Sequence, residues 1–323
     1  MFKIIVIAKK EIADSFKSLR ILLLILTLSV AMFASVWIGS IGFGVKMRDY
    51  NSYLTSLPLL LRSQALETPQ LFPLTLLRAG IEYLEILGAL LAFLIAYASI
   101  ARERSNGTNL LLLSRPVSKL QIMFGKLAGL SVLWALVLLA NLVTAIIAVI
   151  SIGNARLTSI DYVRLIITFS IAEIYLLFWT SLALILSGRL QRVTTALFIG
   201  ISAWVTVVLI FPQIGDTMDP DNQIPGGLFA SLGVTKAQEL RVLSHFHSFD
   251  VIRNGIEVTS ITKLFERSAF AFLGIKAKYN QVPIGTVASG ISSSLLGILL
   301  MISIILILAI YAGHNQKYLG RNK

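Results

Sequence analysis

At 323 residues, 56% hydrophobic and only 14% charged, with a mean hydropathy of +0.82, the chain is far more apolar than soluble domains, which average roughly 45–50% apolar and 25% charged residues. Its formal net charge of +12 is in such a chain a topology signal and an attraction to anionic lipid, which sets nucleic acid aside as a partner. The absence of cysteine excludes disulfides, thiolate metal sites and cysteine nucleophiles.

In chain order, residues 1–20 place Ile5, Ala8, Ile12, Phe16 and Leu19 on one helical face with Lys3, Lys10, Asp14 and Lys17 elsewhere. That pattern suits an elbow helix lying in the membrane interface and turning into the first span. About twenty consecutive apolar residues are needed to cross a bilayer as a helix, because unpaired backbone amides are intolerable in hydrocarbon. Spans are expected at 21–45, 80–101, 127–152, 165–187, 193–212 and 287–312. The first apolar run follows polar-periodic residues and is long enough to be retained as a span and not cleaved as a signal peptide.

Between the spans, 46–79 contains Pro58, Pro69 and Pro73 among leucine-rich runs and reads as short helices on the outer surface. Residues 102–126 form a charged connection between the second and third spans. Residues 213–282 are long enough for a helical outer subdomain. Within it, Thr235 and Gln238 make a capping-box pattern, and 260–275 has amphipathic spacing. The expected fold is thus a single all-α integral membrane domain over 1–323 with six transmembrane helices, an elbow helix and helical outer loops.

With six spans the termini share a side. That side carries Lys3, Lys9, Lys10, Lys17 and Arg20, the basic residues of 102–126, Arg189 and Arg192, and Lys317, Arg321 and Lys323, against only Glu11, Asp14 and Glu103. The remaining charges cancel, so the whole net charge falls on one face and both termini are expected in the cytoplasm of a cell membrane.

No G-x-x-x-x-G-K-[ST] phosphate loop occurs in the sequence, so the chain is not expected to hydrolyse ATP alone or to be an enzyme. The histidines, His245, His247 and His314, lie outside the expected spans and give an intramembrane serine protease no base. His245 and His247 diverge on a helix and read as a surface pair, so no metal site is expected. Gly125 and Gly129, and the small residues Ser289, Gly290, Ser293 and Gly297, allow helices to approach closely, either between two copies or within one.

The segment RERSNGTNLLLLSRPVSKLQIMFGK, 102–126, has a charged break at the end of a span, then a glycine for a sharp turn and a threonine able to cap. A short apolar helix follows, and then a proline before the chain re-enters the bilayer at Gly125. Such a hairpin presents a helix parallel to the membrane. Together with IAKKEIADSFKSLRILLL at 7–24, this segment resembles the type-2 ATP-binding-cassette permeases of bacteria and archaea. Glu11 matches the family's elbow, and Glu103, Gly107, Thr108, Pro116, Gly125 and Lys126 match its E-x-x-x-G-T, serine-or-arginine-proline and G-K pattern.

The resemblance implies a permease subunit working as a homodimer or related heterodimer. Each copy would dock a separate cytosolic ATPase, which carries ATP and Mg, through the elbow and the coupling helix of 102–126. It also implies export, while the long 213–282 loop leaves room for a partner on the outer face. A non-transporting membrane scaffold and a channel are the competing readings.

Ionisable groups in hydrocarbon are costly unless paired or hydrated. Glu173, Asn141 and Glu85 are each expected at roughly 20–24 Å from the cytoplasmic ends of their spans at about 1.5 Å per residue. They are therefore candidates for a polar cluster, with Glu82, lining a translocation path. The alternative is a structural hydrogen-bond knot or pairing with Arg78 or Arg164.

Overall fold

The computed structural model describes residues 2–17, 19–56, 71–106, 117–153, 156–217, 251–252, 255, 257–280 and 282–314. Every regular element among them is helical, as expected for an all-α membrane protein. Among the described residues, six helices are long and apolar enough to cross a bilayer: Leu22–Ser56, Pro73–Ser105, Lys119–Ser151, Ser159–Arg189, Val193–Ile214 and Ser292–Ala312. They are called the first to sixth spans. The amino-terminal helix Phe2–Lys17 precedes them.

Two spans are longer than their apolar cores. The first continues to Ser56 through the polar run KMRDYNSYLTS, and the third begins at Lys119. A helix satisfies its own backbone, so it can run on past the hydrocarbon as long as nothing breaks it. The third and fourth spans start on capping boxes. Ser118 Oγ accepts from the Gln121 amide at 3.2 Å while the Ser118 amide donates to Gln121 Oε1 at 3.1 Å. Thr158 and Asp161 exchange the same pair of bonds at the start of the fourth span.

The fourth span is the centre of the bundle. It packs against the second, third, fifth and sixth spans and is much more deeply buried than the fifth and sixth. Trp179, Tyr175 and Leu176 on it are fully buried. The first span packs on the third, and the amino-terminal helix lies along the third. Because successive spans reverse direction, the odd spans begin and the even spans end on one face, the near face, which also carries the amino-terminal helix. The other is the far face.

Two spans contain a π-helical turn, at Leu84–Gly88 in the second and Val205–Ile210 in the fifth. A widened turn frees backbone carbonyls from their usual partners, and neighbouring side chains bond to them here. Tyr175 Oη donates to the Glu85 carbonyl at 2.9 Å, Trp204 Nε1 to the Ile86 carbonyl at 3.2 Å, and Ser260 Oγ to the Val207 carbonyl at 3.2 Å. Within the amphipathic 260–275 segment, a helix forms at Ile261–Phe272, capped by Ser260 and almost wholly buried. Its Phe265 ring stacks on Tyr175 with centroids 4.7 Å apart. Pro58, Pro69, Thr235, Gln238, His245 and His247 lie outside the described residues.

The second and fifth spans meet at Gly200, where an added Cβ would run into the Phe93 ring. Gly200→Ala should therefore cost about 1–3 kcal/mol by overpacking, read as a lower unfolding temperature in detergent. The loss should shrink markedly in a Phe93→Leu background. Equal losses in both backgrounds would show that the two residues are not in contact.

Candidate functional site

The near-face site starts from two glycines one helical turn apart on the third span. A Cβ at Gly125 would lie 2.7 Å from Ile7 Cβ, and one at Gly129 would lie 2.9 Å from the Ala8 carbonyl oxygen and 2.8 Å from Glu11 Cβ. Glycine at both positions lets the backbone of the amino-terminal helix settle directly onto the third span. The Gly125 and Gly129 surface is thus packed within one chain. So is Gly297 on the sixth span, where an added Cβ would lie 2.9 Å from Leu264 Cδ1.

This close approach carries Glu11 into the protein, where it is only 5% exposed, opposite Lys126, which is 3% exposed. Lysine has three N–H donors, and Lys126 uses all three. Nζ donates to a Glu11 carboxylate oxygen, to Glu103 Oε2 at 3.0 Å and to Ser99 Oγ at 2.8 Å. Ser99 in turn donates to Glu11 Oε2 at 3.0 Å. Half-exposed Lys10 neutralises the second carboxylate from outside, at 3.1 Å from Glu103 Oε1. The result is a closed network of two carboxylates, two ammonium groups and a hydroxyl. It joins the amino-terminal helix, the end of the second span and the start of the third. Buried charges are tolerated only when paired and hydrogen-bonded, and this network meets that condition.

Beside the network opens a polar cleft of about 220 Å³, lined by Lys10, Glu11, Asp14, Arg102, Glu103 and Asn106 among others. Arg104 extends the junction to a fourth element. Its Nη1 donates to the Leu190 carbonyl at 2.9 Å, in the short turn between the fourth and fifth spans where a helix end leaves carbonyls unpaired. Of the residues singled out in the sequence, Glu11, Glu103, Gly125 and Lys126 converge at this junction. Gly107, Thr108 and Pro116 lie outside the described residues. Ser99, Lys10 and Arg104 were not singled out. Lys10 and Arg104 entered only as topology charges, and Ser99 gave no signal at all. The Ser118 capping box was readable as S-x-x-Q.

The intramembrane polar residues are arranged differently. Glu173 is half-buried. It accepts from Ser131 Oγ at 3.2 Å, and its buried Oε2 has no hydrogen-bond partner among the described residues. It faces an apolar groove of about 620 Å³ between the third and fourth spans, lined by Ala135, Leu138, Leu142, Ile166 and Phe169 among others. Asn141 is fully buried and donates to the Val137 carbonyl of its own helix at 2.9 Å. It lies ten residues from Ser131, about 15 Å along the third span at 1.5 Å per residue, so the structure sets Asn141 deeper toward the far face than Glu173. Glu85 is buried in the π turn of the second span. Arg78 pairs with Glu82 at 3.0 Å on the surface.

Comparison with known proteins agrees with this architecture. The family model described as ABC-2 family transporter protein matches residues 5–316. The chain is 27% identical over 213 residues to the probable ABC transporter permease protein NosY of Stutzerimonas stutzeri, covering 64% of this chain and 67% of that one. It is 28% identical over 151 residues to the probable permease NosY of Pseudomonas aeruginosa, covering 45% of each.

Removing the central cation should expose the cost of the network. Lys126→Ala leaves Glu11 and Glu103 buried without their shared partner and should destabilise the chain by about 3–5 kcal/mol. In the Glu11→Gln, Lys126→Met double variant the loss should be clearly smaller than the sum of the two single losses, measured by unfolding in detergent. Additive losses would contradict the shared network.

Proposed function

The chain belongs to the ABC-2 family of transporter proteins, and on that premise we propose that it is the membrane permease of an ATP-driven exporter, coupled to a separate cytosolic ATPase through the near-face junction. The observation that carries this reading is the Lys126 network. It ties the amino-terminal helix, the end of the second span and the start of the third into one unit, on either side of the 107–116 segment that would receive the ATPase.

The near face is assigned to the cytoplasm because the basic residues gather there. ATP and Mg belong to the ATPase subunit; this chain contributes the lever. Pushing on the 102–126 segment would move the second and third spans together with the amino-terminal helix, because the charges between them cannot separate without being left unpaired. Arg104 would pass the displacement to the turn between the fourth and fifth spans. A partner resting on the far-face 213–282 segment completes the proposed assembly.

A second permease copy is expected against the lipid-facing apolar side chains of the outer spans. Trp37, Phe198 and Leu296 are each at least 60% exposed, and either lipid or protein can cover such a surface. Glu173, beside the groove between the third and fourth spans, is the candidate translocation-path residue, with Glu85 and Asn141 deeper in the bundle.

Two experiments test this reading. ATPase activity should co-purify with the chain. Glu103→Lys, which sets a third ammonium group beside Lys10 and Lys126, should lower that activity by about tenfold or more while the subunits remain associated. Undiminished hydrolysis in an intact complex would contradict the coupling site. Glu173→Ala should assemble normally and impair substrate movement in reconstituted vesicles; unimpaired transport would remove Glu173 from the path.

A further inference from the structure

The far face holds a cationic cavity that the transport reading does not use. It has a volume of about 540 Å³ and lies between the segment leading into the second span, the start of the fourth span and the segment before the sixth. Its walls are largely apolar, with Phe72, Leu74, Ile160 and Ile284 among them, and its polar groups are Arg156, Thr158, Asp161, Arg164 and Asn280.

Arg164 is the unusual member. It is only 5% exposed, and a guanidinium that deeply buried ordinarily faces a carboxylate. Its Nη1 donates to the Phe272 carbonyl at 3.3 Å and its Nη2 donates at 2.5 Å to the Val282 carbonyl, while its buried Nε has no partner among the described residues. The nearest acid in sequence, Asp161 on the preceding turn, is engaged instead by the Thr158 amide and hydroxyl at 2.8 Å each. No ion pair joins Arg164 to a carboxylate among the described residues. Arg156, exposed at the same cavity, adds a second positive charge. Among the described residues, two guanidinium groups and one already-bonded carboxylate leave the cavity with an excess of one positive charge.

An arginine near the end of a span would normally extend its side chain to water. Arg164 is instead held inward by two backbone carbonyls, at a level about 7 Å in from the start of its helix. A site with a fixed guanidinium, a second arginine at its mouth and apolar walls fits a molecule with an anionic head and an apolar tail. Guanidinium groups are the preferred donors to phosphate oxygens, and basic pockets between membrane helices hold phospholipid headgroups. Ile160 lines the cavity and is 57% exposed on the outer surface of the bundle, which gives an acyl chain a route to the bilayer.

We propose that this cavity binds the phosphate of an anionic phospholipid of the far-face leaflet, through Arg164 and Arg156. The test is native mass spectrometry of the purified full-length chain in detergent, titrated with dioleoyl-phosphatidylglycerol, with dioleoylglycerol and with inorganic phosphate. Phosphatidylglycerol should bind at least about tenfold more tightly than dioleoylglycerol, and Arg156→Gln should remove most of that preference. Arg156 is exposed, so its variant keeps the test valid should Arg164→Gln fail to fold.

Millimolar inorganic phosphate should leave the lipid bound. Displacement of the lipid by phosphate at that concentration would assign the site to a free anion and overturn the lipid proposal. Equal affinity for phosphatidylglycerol and dioleoylglycerol, or an unchanged preference in Arg156→Gln, would overturn the site altogether.

Discussion

One buried ammonium group, on Lys126, organises the near face of this protein. Lysine is among the costliest residues to bury, and here its three N–H donors meet acceptors from two other elements: Glu11 of the amino-terminal helix, and Ser99 and Glu103 of the second span. Each partner is needed by the others. Take away the ammonium and two carboxylates are left with too few donors; take away Glu11 and the amino-terminal helix loses its deeply buried carboxylate. Such a network adds little net stability compared with an apolar core. What it does is fix the position of three elements relative to one another, since any sliding breaks several charged contacts at once.

The network depends on the backbone beneath it. Without side chains at 125 and 129 the amino-terminal helix approaches closely enough for Glu11 to reach Lys126. A glycine pair brings the amino-terminal helix onto the third span, and a charge cluster locks that contact and ties the second span to it. The opposite end of the bundle is organised differently, by π turns whose freed carbonyls are taken up by Tyr175, Trp204 and Ser260, with Phe265 stacked against Tyr175 in the core.

Much of the architecture was legible in the sequence because hydrocarbon imposes a simple rule: each span must be apolar and long enough to satisfy its own backbone. Six apolar runs therefore became six helices. Their ends were less legible. The third span begins at Lys119, eight residues before its apolar core at 127, because the Ser118–Gln121 cap starts the helix while the chain is still polar. Levels counted from the apolar boundary consequently put Asn141 and Glu173 side by side, whereas the helix that forms offsets them. Glu11, Glu103, Gly125 and Lys126 could be singled out by their resemblance to a family pattern. Their mutual contacts could not, because Glu11 and Lys126 are 115 residues apart in the chain and only the docking of two helices brings them together. Arg164 stood in the sequence as a possible partner of the intramembrane acids, whereas in the fold it donates to the Phe272 and Val282 carbonyls of a distant segment.

Held by the Lys126 network, the amino-terminal helix and the third span should move as one rigid unit. The cysteine-free sequence allows a direct measurement. Spin labels would be placed at Ala13→Cys and Val132→Cys, both exposed positions, and the distance between them measured in the intact complex with its ATPase, without nucleotide and with ATP trapped. The distance should be the same in both states while the complex changes conformation elsewhere. A change approaching one helical turn, about 5 Å, would contradict a rigid unit, because the two helices would then be sliding past each other across charges that are supposed to hold them together.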